Sequence, residues 1–188
     1  MEHTKEKLID AAINLITKQG YEDTSVASIV KRANVAQGTF YLYFQSKYDM
    51  VLAIAKRILS HINEKVSDLD SSHQSMEDFL YEWIAIVYEV TEQNRDLINY
   101  VYSKSAEKQR FTLWEDIYTS YYNWLTKHIT FYQQSNECDR EFDPKELAMF
   151  LVNTVEQAAE QHFLFQKEET DVTHSIRFLH RFLVKSLK

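Results

Sequence analysis

Apolar residues recur along this chain at intervals of three and four, the spacing of one face of a helix, and nowhere alternate as a half-buried strand would. About nine helices follow from that pattern. Thr4 to Lys18 carries Leu8, Ala11, Ala12, Leu15 and Ile16 on one face and stops at Gly20. A shorter helix opens after Thr24 or Ser25, either of which can cap it, with Val26, Ile29, Val30 and Ala33 as its apolar stripe. Asn34-Val35-Ala36 breaks it, and a helix of about two turns begins near Gln37. Ser46 and Asp49 form a capping-box pattern that starts a long helix running to about Val66. That helix belongs to both halves of the chain and is the natural lever between them.

Beyond the polar stretch Asp68 to Gln74, Met76 to Thr91 has a broad apolar face built on Phe79, Leu80, Trp83, Ile84, Val87 and Val90. Asn94 to Ser105 is shorter, and a break at Glu107 to Arg110 precedes a long, aromatic-rich helix from Phe111 to about Gln134. After the charged loop Asn136 to Phe142, Asp143 caps a helix whose first position is Pro144, with Glu146 three after the cap. This helix is apolar on two sides, Leu147, Phe150, Leu151, Val155 and Ala158 against Ala148, Val152, Ala159 and Phe163. The last helix, Val172 to Leu187, repeats the pattern with Ile176, Leu179 and Leu183 on one side and Phe178 and Phe182 on another. One side of each can face the interior and the other needs a partner. Phe150, Val152, Val155, Ala159, Phe163, Ile176, Phe178, Leu179, Phe182 and Leu183 are therefore the expected interface of a four-helix contact with a second copy.

Composition sharpens this reading in three ways. Two glycines and one proline in 188 residues leave little to interrupt helices. The single cysteine, Cys138, excludes an internal disulfide framework and suits a reducing cytoplasm. No apolar run is long enough to span a bilayer and no signal peptide is recognisable, so a cytoplasmic protein without a membrane partner is expected.

The net charge of −7 is unevenly spread: through Ser60 there are eight Lys/Arg against six Asp/Glu, and thirteen against twenty-two in the remainder. No phosphate loop, nucleophile elbow, paired-cysteine site or metal-binding HExxH helix is present. No catalytic residue, metal or cofactor is expected.

The two-turn helix carries the chemistry. Phe40 and Phe44 share a face that points inward against Ile29 and Val35. At about 100° per residue the opposite face carries Gly38, Thr39, Tyr41 and Leu42, with Tyr43 at the margin. Such a face suits a DNA groove: Gly38 allows close approach, Gln37 and Thr39 can hydrogen-bond base edges or phosphates, and Leu42 can touch a thymine methyl. Lys47, at a helix start, suits a phosphate.

The run from Gly20 through Leu52 closely resembles the N-terminal DNA-binding domain of the TetR family of bacterial transcriptional regulators, in the spacing of GY, TSV, GTFYLYF and SK. The resemblance implies an all-α protein: a three-helix helix-turn-helix head, residues 1–46, and a helical body, residues 47–188, that dimerises and binds a small effector. It implies a repressor that binds palindromic double-stranded DNA as a homodimer and is released by a small, largely apolar molecule. The DNA-contacting set is then Thr24, Ser25, Gln37, Gly38, Thr39, Tyr41, Leu42, Tyr43 and Lys47. The family commonly has histidine or tyrosine where Tyr43 stands. In the body, Trp83, Tyr88, Tyr100, Trp114, Tyr118, Tyr121, Trp124 and His128 are candidates for an aromatic effector pocket, with Glu156 as a polar lining residue. Glu156, Glu160 and His162 lack the spacing of a metal site. The alternative from another class is an all-helical protein-interaction module that does not bind DNA.

Overall fold

A computed structural model describes residues 2–71, 75–104, 111–165 and 171–188, with side chains at all of these except 2, 70, 71, 100–104 and 111–116. The described residues form nine α-helices and no strand. They are α1 (Glu2–Gln19), α2 (Val26–Ala33), α3 (Gln37–Tyr43), α4 (Lys47–Ser67), α5 (Met76–Gln93), α6 (Arg95–Lys104), α7 (Phe111–Gln134), α8 (Pro144–Glu160) and α9 (Val172–Ser186). Their packing divides the chain into two compact units: Met1–Ile58 with Asp96–Gln109, and Leu59–Arg95 with Arg110–Lys188. The boundary expected at Ser46 therefore falls inside the first unit, because Met50, Val51 and Ile54 of α4 are part of its core.

In the first unit the helix ends are set by local chemistry. Gly20, at φ 78°, closes α1 with its N–H on Ile16 O at 2.8 Å, a conformation open to glycine at little cost. Ser25 caps α2 through the Ser28 N–H at 3.0 Å. The other end of α2 turns on Asn34, left-handed at φ 54°, with Val35 N–H bonding Val30 O at 3.0 Å. That turn sends the chain directly into α3. Ser46 and Asp49 cap α4 reciprocally, each backbone N–H donating to the other's side chain, at 3.1 and 3.2 Å. Leu8 and Ala12 of α1, Ile29 of α2, Phe40 of α3 and Ile54 of α4 meet in one fully enclosed core. Arg57 forks onto Glu6 and Asp10 of α1 at the surface, where such ion pairs add little.

In the second unit α5 lies against both α8 and α9, and α7 lies against α8. Met76, Phe79, Leu80, Trp83, Ile84, Val87, Tyr88 and Val90 of α5 are all buried. The stretch expected as a loop from Asp68 to Gln74 begins instead as a 3₁₀ turn, Asp68–Ser71; its remainder, with the expected break at Glu107 to Arg110, lies outside the described residues. Asp143 caps α8 by accepting from the N–H groups of Lys145 and Glu146 at 3.0 and 2.9 Å, with Pro144 at the first position. Arg140 closes the far end of α7, its guanidinium donating to Gln133 O and Gln134 O.

The two apolar sides expected of α8 merge into one. At about 100° per residue, Leu147, Ala148, Leu151, Val152, Val155 and Ala159 sweep a continuous arc of about 140°, all buried against the helix's own unit. Val152, Val155, Ala159, Leu179 and Leu183 are therefore core residues, a correction to their expected place in a subunit interface. Phe163 and Ile176 are half-buried. What remains outside is aromatic: Phe150 is 64% exposed on α8, and Phe178 and Phe182 are 69% and 54% exposed on α9.

Candidate nucleic-acid interface and the polar groups of the body

α3 presents the side chains that the sequence placed there. Phe40 and Phe44 are buried, with ring centroids 5.4 Å apart, and they anchor the helix. Facing away, Leu42 is 81% exposed and Tyr41 55% exposed, the latter set edge-on to Phe40 at 5.4 Å. Gln37 and Gly38 are exposed as well, while Thr39 and Tyr43 are half-buried. A methyl group placed on Gly38 would meet nothing within 4 Å and its φ is not positive, so the fold itself makes no demand for glycine there.

Two expected contacts change. Thr24 is fully buried and its hydroxyl donates to Gly20 O at 2.7 Å, so it cannot touch DNA; it braces the turn between α1 and α2. Lys47 is half-buried, donating from Nζ to Tyr21 O at 2.6 Å with the ammonium 3.3 Å from the centre of the Tyr21 ring. Its charge is held against the turn and does not hang free in solvent. Ser25 stays exposed, though its hydroxyl is engaged in the cap of α2.

The aromatic candidates of the body separate into three groups. Trp83 and Tyr121 are enclosed, and the indole N–H donates to the phenol oxygen at 2.7 Å. With Tyr88, also buried, they fill the interior, a correction to their expected role as cavity lining. Trp124 and His128, on the flank of α7 next to Tyr121, line a half-open groove of about 500 Å³. There Ser120, Asn123, Lys127 and Phe131 join them, with Leu69 and Tyr132 closing the groove. The spacing 120, 123, 124, 127, 128, 131 is a single helical face, a stripe the aromatic count alone did not isolate. The side chains of Tyr100 and Trp114 lie outside the described set.

Tyr118 and Glu156 form the third group. The Tyr118 hydroxyl donates to Glu156 Oε2 at 2.8 Å, while Glu156 Oε1 is buried with no hydrogen-bond partner among the described residues. Burial pushes the Glu156 carboxyl up to about 8 against the pull of the Tyr118 hydrogen bond, and the neighbouring Glu160 adds to the rise. The same burial, reinforced by Glu156, holds the Tyr121 phenol well above its ordinary value.

Residues 8–54 match the family described as "Bacterial regulatory proteins, tetR family", and residues 80–187 match "Tetracyclin repressor-like, C-terminal domain". An uncharacterised HTH-type transcriptional regulator of Bacillus subtilis, YvdT, is 33% identical over 182 residues, 97% of this chain and 94% of its own length. The fatty acid metabolism regulator of the same organism is 37% identical over 62 residues, about a third of each chain. Among solved structures, the FadR regulator of Bacillus subtilis in complex with stearoyl-CoA superposes with a TM-score of 0.77 at 22% identity, covering 98% of this chain and all of its own. Thermus thermophilus FadR with lauroyl-CoA gives 0.76 at 16% identity, covering 96% and 93%. At those identities the superpositions establish the fold, and the sequence matches establish descent. The chain belongs to the TetR family of bacterial HTH transcriptional regulators.

Proposed function

We propose that this regulator is a repressor that binds a palindromic operator as a homodimer and leaves it when a small, largely apolar effector enters the body. The observation that carries the DNA half of this reading is the outward face of α3. An exposed leucine and tyrosine beside a glycine that the fold does not require make a poor solvated surface and a good major-groove one. Two such helices related by a twofold axis would read half-sites about one helical turn apart. Relatives of this fold carry acyl-CoA molecules, which supports a body that opens to ligands with long apolar parts. Release then follows if the effector binds a conformation that grips DNA poorly, a shift of population and not a push.

The test is fluorescence anisotropy with duplexes from the DNA flanking the gene. The wild type should bind one of them far more tightly than random duplex, and indifference to every duplex would end the reading. Gly38→Ala separates fold from function. Because nothing lies within 4 Å of the added methyl, the head should be unchanged or stabilised by up to about 1 kcal/mol, while operator affinity drops by roughly tenfold or more from the lost close approach. Undiminished operator binding in this variant would remove α3's outward face from the contact surface.

The dimer rests on Phe150, Phe178 and Phe182. Exposed rings of this size on two consecutive helices are apolar surface that a second copy would cover. Phe178→Glu should give a folded monomer by sedimentation velocity, at no cost to the chain's own core. A dimer of unchanged strength would move the interface elsewhere.

A further inference from the structure

We propose that the groove along one flank of α7 is a binding site for a flat aromatic molecule carrying an anionic group. The groove is about 500 Å³, within the range of small-molecule sites, and its α7 stripe runs about 16 Å from Ser120 to Phe131. Its walls supply rings for stacking: Trp124, Phe131 and Tyr132 line it with His128. His128 itself is held in place, stacked on Phe79 at 4.7 Å and against Trp124 at 4.8 Å, so one wall is preformed.

The charge is the second observation. After Ser60 the chain has thirteen Lys/Arg against twenty-two Asp/Glu, yet among the described residues no carboxylate lines this groove and the ammonium that does is that of Lys127. Asn123 and Ser120, one and two turns away on the same face, add neutral donors. The Tyr132 phenol is a further one, uncharged at neutral pH as any tyrosine is and pushed up to about 12 by burial, with Glu137 and Asp78 nearby. Those two carboxylates are already engaged, Asp78 by the Ser75 hydroxyl and Glu137 by the Ser135 hydroxyl and the Met76 N–H. A basic, ring-lined groove in an acidic unit selects an anion.

For its regulatory meaning this site rests on the preceding reading, as the place where an effector would act. Binding itself does not. The probe is 8-anilinonaphthalene-1-sulfonate, titrated into the full-length chain at low ionic strength and followed by its own fluorescence, with N-phenyl-1-naphthylamine as the uncharged analogue.

The expected result is saturable binding of one sulfonate per chain, roughly tenfold tighter than the neutral analogue. Lys127→Glu should weaken it roughly fivefold or more, while Lys127→Arg stays near wild type. Near-ultraviolet circular dichroism confirms that each variant is folded. Equal affinity for the charged and uncharged probes, or an unchanged affinity in Lys127→Glu, overturns the proposal. No DNA enters the experiment, so its failure leaves the repressor reading standing, and a failure of operator binding leaves this site standing.

Discussion

Between pH 5 and pH 8.5 the body of this protein is expected to lose stability, and Glu156→Gln is expected to abolish most of that loss. Glu156 has its carboxyl pushed up to about 8 in the folded chain, against 4.5 for the free group. Over that interval the folded state holds a proton that the unfolded state has released. Its contribution is thus fully present below the unfolded value and lost as pH rises through the folded one. Each unit of difference is worth about 1.4 kcal/mol, so the whole rise amounts to on the order of 5 kcal/mol above pH 8.

The physical origin is an oxygen with nowhere to place a charge: Oε2 accepts from Tyr118, Oε1 accepts from nothing among the described residues, and Glu160 repels. Glutamine keeps the shape and the Tyr118 hydrogen bond without the ionisation. Urea unfolding followed by tryptophan emission suits the measurement, since Trp83, Trp114 and Trp124 all belong to the second unit. The raised phenols of Tyr88, Tyr121 and Tyr132 titrate above this window and do not confuse it. A gap between wild type and Glu156→Gln that stays constant with pH would show that the carboxyl is not held neutral.

Phe40→Ala should act on the other unit. Phe40 is fully enclosed by Phe44 and the core of α1, α2 and α4, and removing a buried phenyl ring costs about 3–5 kcal/mol. A unit of this size has little stability in reserve, of the same order as that loss. The variant should therefore bind operator at least about a hundredfold more weakly. Tryptophan emission of the second unit should stay native. Leu42→Ala is the matching control. At 81% exposure its loss should leave stability within about half a kcal/mol and act on DNA alone. Full operator affinity in Phe40→Ala would mean that α3 is not positioned by its phenylalanines.

The head was legible because each of its signals is local. A cap acts on the next three residues, Asn34 turns the chain where it stands, and Phe40 and Phe44 share a face by spacing alone. Even there one choice stayed open. Thr24 and Ser25 both look like caps, and only the folded turn, which buries Thr24 on Gly20 O, decides between them. Lys47 likewise reads as a bare cation until the chain folds back to bring Tyr21 beneath it, 26 residues earlier in sequence.

The body was less legible for a different reason. Periodicity gives helices and their apolar faces, but an aromatic ring at an inward position can fill a core or line a cavity, and the pattern is the same. Trp83 and Tyr121 became core because α5 and α7 bring indole and phenol together. Trp124, three residues further on, borders a groove. The width of α8's apolar surface posed the same ambiguity, and the packing of α5 and α7 against it settled most of that surface as interior.

By itself, then, the sequence determined that the described residues are helical, where most helices begin and end, and which short segment turns Tyr41 and Leu42 outward. All of these depend on neighbours within a turn or two along the chain. Only the tertiary structure decided which buried polar atoms find partners, which rings enclose space, and which phenylalanines remain outside. Those depend on residues tens of positions apart, as with Tyr118 and Glu156, which no local pattern could bring together.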